Sequence, residues 1–143
     1  MRILFLMLLS CTFVAAPIWA ADVGRVKTVT GAVHIERGGQ RLPATVDARI
    51  QSADTVVTGA GSSVGMTFLD DSRLAAGPNS TLVIDRYAFD RTTHAGTMDA
   101  TLKRGTLAIV SGRMVKQSPE SLTVKTPVLV LGVRGTEFLV SAE

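Results

Sequence analysis

The sequence predicts an all-β protein: many short strands in a twisted, β-solenoid-like or sandwich-like single domain. Three observations carry this expectation. Turn-forming clusters recur at short intervals from Asp22 onward, at Gly31, Gly38-Gly39, Gly59-Ala60-Gly61, Asp70-Asp71, Gly77-Pro78-Asn79-Ser80, Arg104-Gly105 and Ser111-Gly112. The runs between them are about four to eight residues long and rich in alternating or β-branched apolar side chains, the spacing of strands. No segment sustains a helical period. The units between glycines have no fixed length, so irregular coils or meanders are expected rather than a repeat array.

The first 20 of the 143 residues read as a cleavable signal peptide. Arg2 supplies a positive start, residues 3–16 are apolar apart from Ser10, Cys11 and Thr12, and Pro17 precedes a cut expected between Ala20 and Ala21. The apolar core is shorter than the roughly 18 residues a spanning helix requires. A second reading takes Leu8-Leu9-Ser10-Cys11 as a lipobox with Cys11 lipidated, but the residues after it stay apolar where a polar tether is expected. With the signal removed, 123 residues remain, enough for one domain over 21–143 that buries about two-thirds of its unfolded surface. The loss of Arg2 leaves 14 basic against 12 acidic side chains, scattered without the stripe that a nucleic-acid partner requires. Cys11 is the only cysteine, so the core must hold the exported domain without a disulfide.

Taken in order, residues 26–29 and 32–35 flank Gly31 and are expected to pair. In the second run Val33 and Ile35 alternate with His34 and Glu36, one face in and one out. Val64, Met66 and Phe68 share one side of the next strand. Asp70-Asp71 then reverses the chain into residues 73–76, since Asp tolerates the left-handed conformations of tight turns. A second reversal is expected at residues 77–80, leading into Thr81-Leu82-Val83-Ile84. Residues 91–96 read as an exposed loop tip, and strands resume at 105–110 and 121–125.

The final stretch, residues 126–140, reads T-P-V-L-V-L-G-V-R-G-T-E-F-L-V. Pro127 fixes its own φ and biases Thr126 toward extended geometry. Residues 128–131 form a continuous apolar run, expected to be a core strand covered on both faces. Gly132 and Gly135 imply a kink or bulge that re-aims Thr136, Glu137 and Phe138. Arg134 and Glu137 are expected to form a charged pair on one strand face, with contacts to a partner as the alternative.

The catalytic motifs are weak. Gly61-Ser62-Ser63-Val64-Gly65 fits G-x-S-x-G as text, but a nucleophile elbow needs a helix after the serine, and residues 66–69 alternate as a strand. His34 and His94 are the only histidines, too few and too far apart to suggest a zinc site. Asp54-Thr55-Val56 lacks the glycine of an aspartic-protease turn. Gly59-Ala60-Gly61 lacks the third glycine and helix of a phosphate cradle. No catalytic residue, cofactor or metal ligand is therefore expected.

Three blocks carry a family resemblance: residues 59–63 before a strand; F-L-D-D-S-R-L-A-A-G-P-N-S over residues 68–80; and Thr126-Pro127 followed by Val133-Arg134-Gly135-Thr136-Glu137-Phe138. Over approximately Val33 to Val140 the chain resembles the FecR domain, the periplasmic module of bacterial cell-surface signalling regulators. The resemblance implies an all-β domain without catalytic residues, and gives Thr126, Pro127, Arg134, Gly135, Thr136, Glu137 and Phe138 a structural or partner-binding role. In the regulators the domain follows a cytoplasmic anti-sigma segment and a membrane helix, and helps relay the state of an outer-membrane, TonB-dependent transporter. This chain differs. A signal peptide stands where that segment would precede, and Glu143 follows closely on the last motif. Asp71 also replaces the usual glycine, and residues 128–131 are bulkier than usual. The expected function is an exported, non-enzymatic protein-binding module, periplasmic or secreted, with an unidentified envelope protein as partner. The alternative is a carbohydrate or peptidoglycan binder, for which Tyr87 and few phenylalanines provide little stacking surface once Trp19 leaves with the signal.

Overall fold

In the computed structural model, residues 21–135 and 137–143 are described. The expected signal peptide over residues 1–20, with Cys11 and Ala20, and Thr136 lie outside them, and Ala21 is the first described residue. The strands are β1 (Asp22–Thr30), β2 (Val33–Arg37), β3 (Gln40–Pro43), β4 (Arg49–Gln51), β5 (Thr55–Thr58), β6 (Ser63–Phe68), β7 (Arg73–Ala76), β8 (Thr81–Phe89), β9 (Gly96–Val110), β10 (Leu122–Lys125), β11 (Val130–Gly132) and β12 (Glu137–Ala142). One short helix, α1 (Arg113–Gln117), stands between β9 and β10. The all-β expectation holds, and α1 departs from it in a small way. Its five residues, R-M-V-K-Q, include good helix formers but are too few to display a 3.6-residue period.

The register shows how twelve strands make one sheet. β1 runs along β6 from Gly24 opposite Phe68 to Thr30 opposite Ser63, and β2 continues along β5 from Val33 opposite Thr58 to Glu36 opposite Thr55. β1 and β2 are therefore two halves of one long, broken strand. They do not pair with each other, contrary to expectation, because Gly31 marks a jog and not a hairpin. β5 and β6 are likewise halves of one line, as are β3 with β4 and β7 with β8. β7 follows β9 from Val110 to Leu107, and β8 continues along it from Arg104 to Gly96. Residues 77–80 thus carry the chain onward in the same direction, and the expected second reversal is a jog as well. The reversal at Asp70-Asp71 is real: β6 and β7 pair antiparallel, and Asp71 has φ +67. The loop after β8 also falls where expected, although β9 already begins at Gly96.

The jogs align into a seam that divides the sheet into two wings. The first wing comprises β4, β1, β6, β7, the end of β9 and β12; the second comprises β3, β2, β5, β8, the start of β9, β10 and β11. At the seam hydroxyl bonds supplement the backbone ones, which include Thr58 N to the Ser80 carbonyl and Gly77 N to the Thr106 carbonyl. Thr58 Oγ donates to the Gly77 carbonyl at 2.6 Å and accepts from Ser80 N at 2.9 Å, while Ser80 Oγ accepts from Thr106 N at 3.0 Å. Gly105, at φ +96, packs so tightly on Ser80 that a Cβ there would collide with it. This glycine stands where β9 passes from its pairing with β8 to its pairing with β7.

The sheet folds along the seam. A flat sheet would hold Phe68 and Tyr87, at the far ends of β6 and β8, roughly 40 Å apart. Their ring centroids lie 5.4 Å apart. The inward residues of both wings thus share one core, with Val26, Met66, Leu74 and Ile109 from the first wing and Ile35, Val56, Leu82 and Val124 from the second. Each such burial contributes about 1.5–3 kcal/mol, which meets the demand of a domain with no disulfide among its described residues.

Candidate functional site

Two polar locks hold the far ends of the wings together. At the first, the fully buried Asp70 receives the Tyr87 hydroxyl at 2.7 Å, the Ser72 hydroxyl at 2.6 Å, and the backbone N–H groups of Ser72 and Met114 at 3.3 Å each. The Asp70 carbonyl accepts from Arg113 N at 2.8 Å, and Ser72 Oγ accepts from Gly112 N at 3.0 Å. The D-D-S turn is thereby clasped to β8 and to the start of α1. Gly112 sits against the turn backbone with no room for a side chain. Burial, followed by the hydrogen bond to Asp70, pushes the Tyr87 phenol well above its ordinary range. A buried carboxylate with four donors is a satisfied structural node.

At the second lock, Arg37 forks onto the buried Asp54 with bonds of 2.8 and 2.7 Å, and Gln51 N donates to the same carboxylate at 2.8 Å. Arg37 also donates to the Arg49 carbonyl at 3.1 Å, tying β2 in the second wing to β4 in the first. Arg37's hydrogen bond to Asp54 raises the Arg37 pKa further, so the guanidinium stays charged. Neither lock was anticipated, because the contacts that join the wings span 12 to 44 residues in sequence. The available signals were modest: a lone tyrosine outside the signal region, and an Asp pair with more acid than a turn requires.

The other text motifs find local explanations. Ser63 is the exposed first residue of β6, and the strand that follows it is not the helix of an elbow. The buried serine of that motif is Ser62, whose hydroxyl accepts from Ala32 N at 2.9 Å across the seam. His34 lies 3.2 Å from Glu36, and His94 stacks on Phe89 in the loop.

The C-terminal motif residues lie on the opposite flank, along the edge of β9 that β7 and β8 leave free. β10 pairs there parallel with β9 from Met98 to Thr101, and β12 pairs antiparallel from Val110 to Gly105. Thr126 and Pro127 build the turn between β10 and β11. Thr126 N donates to the Leu129 carbonyl at 2.8 Å, Leu129 N donates to Thr126 Oγ1 at 3.1 Å, and Pro127 supplies the fixed φ of the second turn position. This turn pushes the apolar run outward. Val128, Leu129 and Val130 are 84%, 56% and 68% exposed, which overturns the expectation of a core strand. Residues 128–130 cross the hairpin tip into β11, which pairs with β10 alone among the described strands, while Leu131 packs partly buried against the core. Val133 is the buried apolar residue of the motif, with its N–H bonded to the Leu122 carbonyl.

The expected pairing of Arg134 with Glu137 is also absent. Arg134 reaches Glu120 instead, at 3.2 Å between two exposed side chains, while Glu137 opens β12 opposite Val110. The kink falls at Gly135, with φ +97 and a carbonyl that accepts from Ser111 Oγ at 2.5 Å. It redirects the chain from β11 in the second wing to β12 in the first. Phe138 packs half-buried beside the core. Thr136 lies outside the described residues.

A strand order broken along one seam, a buried D-D-S turn and a T-P hairpin followed by a V-R-G kink can be compared with known proteins. The family described as FecR protein matches residues 54–143. The chain belongs to the FecR family. The match begins at Asp54, later than the resemblance near Val33 suggested, so β1 to β4 precede the FecR region and form the two outermost lines of strands beside it. No curated protein and no solved structure matches the chain. Within the FecR region the polar motif residues Asp70 and Ser72 are buried, and the motif Thr126-Pro127 presents an apolar tip. Among the described residues no helix is long and apolar enough to cross a membrane, and no group of three or more His, Asp and Glu could hold a metal ion.

Proposed function

We propose that this FecR-family chain is an exported, non-enzymatic protein-binding module of the bacterial envelope, and that it takes its protein partner on the flank formed by β10, β11 and β12. The observation that carries the reading is the placement of apolar exposure. Of the five large apolar side chains exposed among the described residues, four stand on this flank, Val128, Leu129, Val130 and Leu139; only Val46 lies elsewhere. Apolar exposure along one side of β9, where β11 and β12 leave strand edges free, suits a partner that adds backbone hydrogen bonds and covers the side chains. The apolar start of the sequence supports export, and the family supports an envelope signalling context. Sugar stacking is less well served, because Tyr87 and Phe68 are buried and Phe89 and Phe138 are only partly exposed.

The test is capture from envelope extracts by the wild-type protein and by Val128→Ser/Leu129→Ser/Val130→Ser. Stoichiometric capture of a protein by the wild type alone supports the reading. Sedimentation with cell-wall sacculi in place of protein capture would replace it with the carbohydrate reading.

A further inference from the structure

The folded sheet ends in four strands that pair on one edge only: β3, β4, β11 and β12. Three carry ordinary protection against adventitious pairing. β3 contains Arg41 and Pro43; β4 has three residues, bears Arg49 and faces a register break in β1; β11 has three residues and ends at Gly132. Such features blunt an edge. β12 has none of them. It is six residues long, E-F-L-V-S-A, without Pro, Lys or Arg, and Leu139 at its middle is 76% exposed.

From this edge we infer that the occupant of β12 is β12 of a second copy of the chain, paired antiparallel about a twofold axis at Leu139. This rests on the protein-binding reading above and adds a second copy as an occupant of the same flank beside the envelope protein. The alternation of β12 restricts the choice. Glu137, Leu139 and Ser141 face outward, while Phe138, Val140 and Ala142 face the core side. A twofold axis normal to the sheet keeps each face on its own side, so it must pass through a residue. Centred on Val140, the pairing would oppose Glu137 to Glu143 of the second copy; centred on Phe138, it would oppose Glu137 to Leu139. Centred on Leu139, it sets Leu139 against Leu139, Glu137 against Ser141, and Phe138 against Val140. Only this register pairs each of Phe138, Leu139 and Val140 with an apolar residue and leaves the acid opposite a hydroxyl, the pairing that stabilises antiparallel neighbours. The hairpin tip lies along the same edge of β9 and adds its apolar side chains to the same flank.

The experiment uses protein purified after export of the full-length chain, with single cysteines introduced by Leu139→Cys, Glu137→Cys and Ser141→Cys. Directly opposed residues in an antiparallel pair lie within disulfide reach. The expected results are a dimer by sedimentation equilibrium, a disulfide-linked dimer for L139C, none for E137C or S141C alone, and a linked heterodimer when those two are mixed. The parent protein reports any contribution from Cys11. Leu139→Lys, at an exposed position that leaves the fold intact by thermal melting, should weaken dimerisation at least tenfold. A monomer at high micromolar concentration, or cross-linking through Arg49→Cys in β4 equal to that at 139, overturns the inference. If that monomer still captures an envelope protein that the Val128-Leu129-Val130 variant loses, the dimer is rejected and the protein-binding reading stands. If capture is also absent, both fall.

Discussion

The two ends of the folded sheet use polar and apolar residues in opposite ways. At the locked end, the polar residues Asp54, Asp70 and Ser72 are buried and bonded across the wings. At the C-terminal flank, the apolar residues Val128, Leu129, Val130 and Leu139 are exposed. The locked end stabilises the fold and has no surface to offer; the flank contributes little to the core and has its strand edges free. Substitutions at the two ends should therefore separate stability from binding.

The largest effect is expected at the first lock. Asp70→Ala strands the Tyr87 hydroxyl, the Ser72 hydroxyl and two backbone N–H groups, and should cost about 3–5 kcal/mol in denaturant unfolding, since each orphaned buried donor costs about 1–3 kcal/mol. Gly112→Ala should approach that loss, because its methyl group meets the backbone of the D-D-S turn. A wild-type melting curve for either variant would mean that the lock does not bind the wings together.

Tyr87 gives the lock a pH signature. Its folded pKa is raised above the ordinary value of about 10, so its contribution is complete below that value and is lost as pH rises through the folded one. Tyr87→Phe should cost about 1–2 kcal/mol at neutral pH and should make the alkaline decline of stability shallower. An unchanged alkaline slope would remove the phenol from the account.

The smallest effect is expected at Arg134. The sequence suggested a structural pair with Glu137, and loss of stability on truncation. The observed pair with Glu120 is exposed on both sides, so Arg134→Ala should shift stability by less than about 0.5 kcal/mol in a thermal melt. A larger loss would move this residue from the flank to the lock.

Much of the fold was legible because its signals are local. The alternation at Val64, Met66 and Phe68 marks β6, and the left-handed tolerance of Asp71 marks the β6–β7 hairpin. All three blocks quoted for the FecR resemblance lie within the matched residues. What escaped depends on register. A glycine between two apolar runs reads the same whether the chain reverses or jogs, so Gly31 and residues 77–80 looked like hairpins. Only their partners on β5, β6 and β9 show that the runs continue in line. The run from 128 to 131 read as core because its composition is that of core; the exposure of residues 128–130 follows from their place at a hairpin tip. The locks were invisible because each joins residues far apart in sequence.

The most direct test of this division is a paired measurement on Val128→Ser/Leu129→Ser/Val130→Ser: thermal stability and capture of envelope protein from the same preparation. A melting temperature close to wild type together with lost capture is the predicted result. A protein that melts far below wild type, or one that binds its partner undiminished, would contradict the assignment of the flank as the interaction surface.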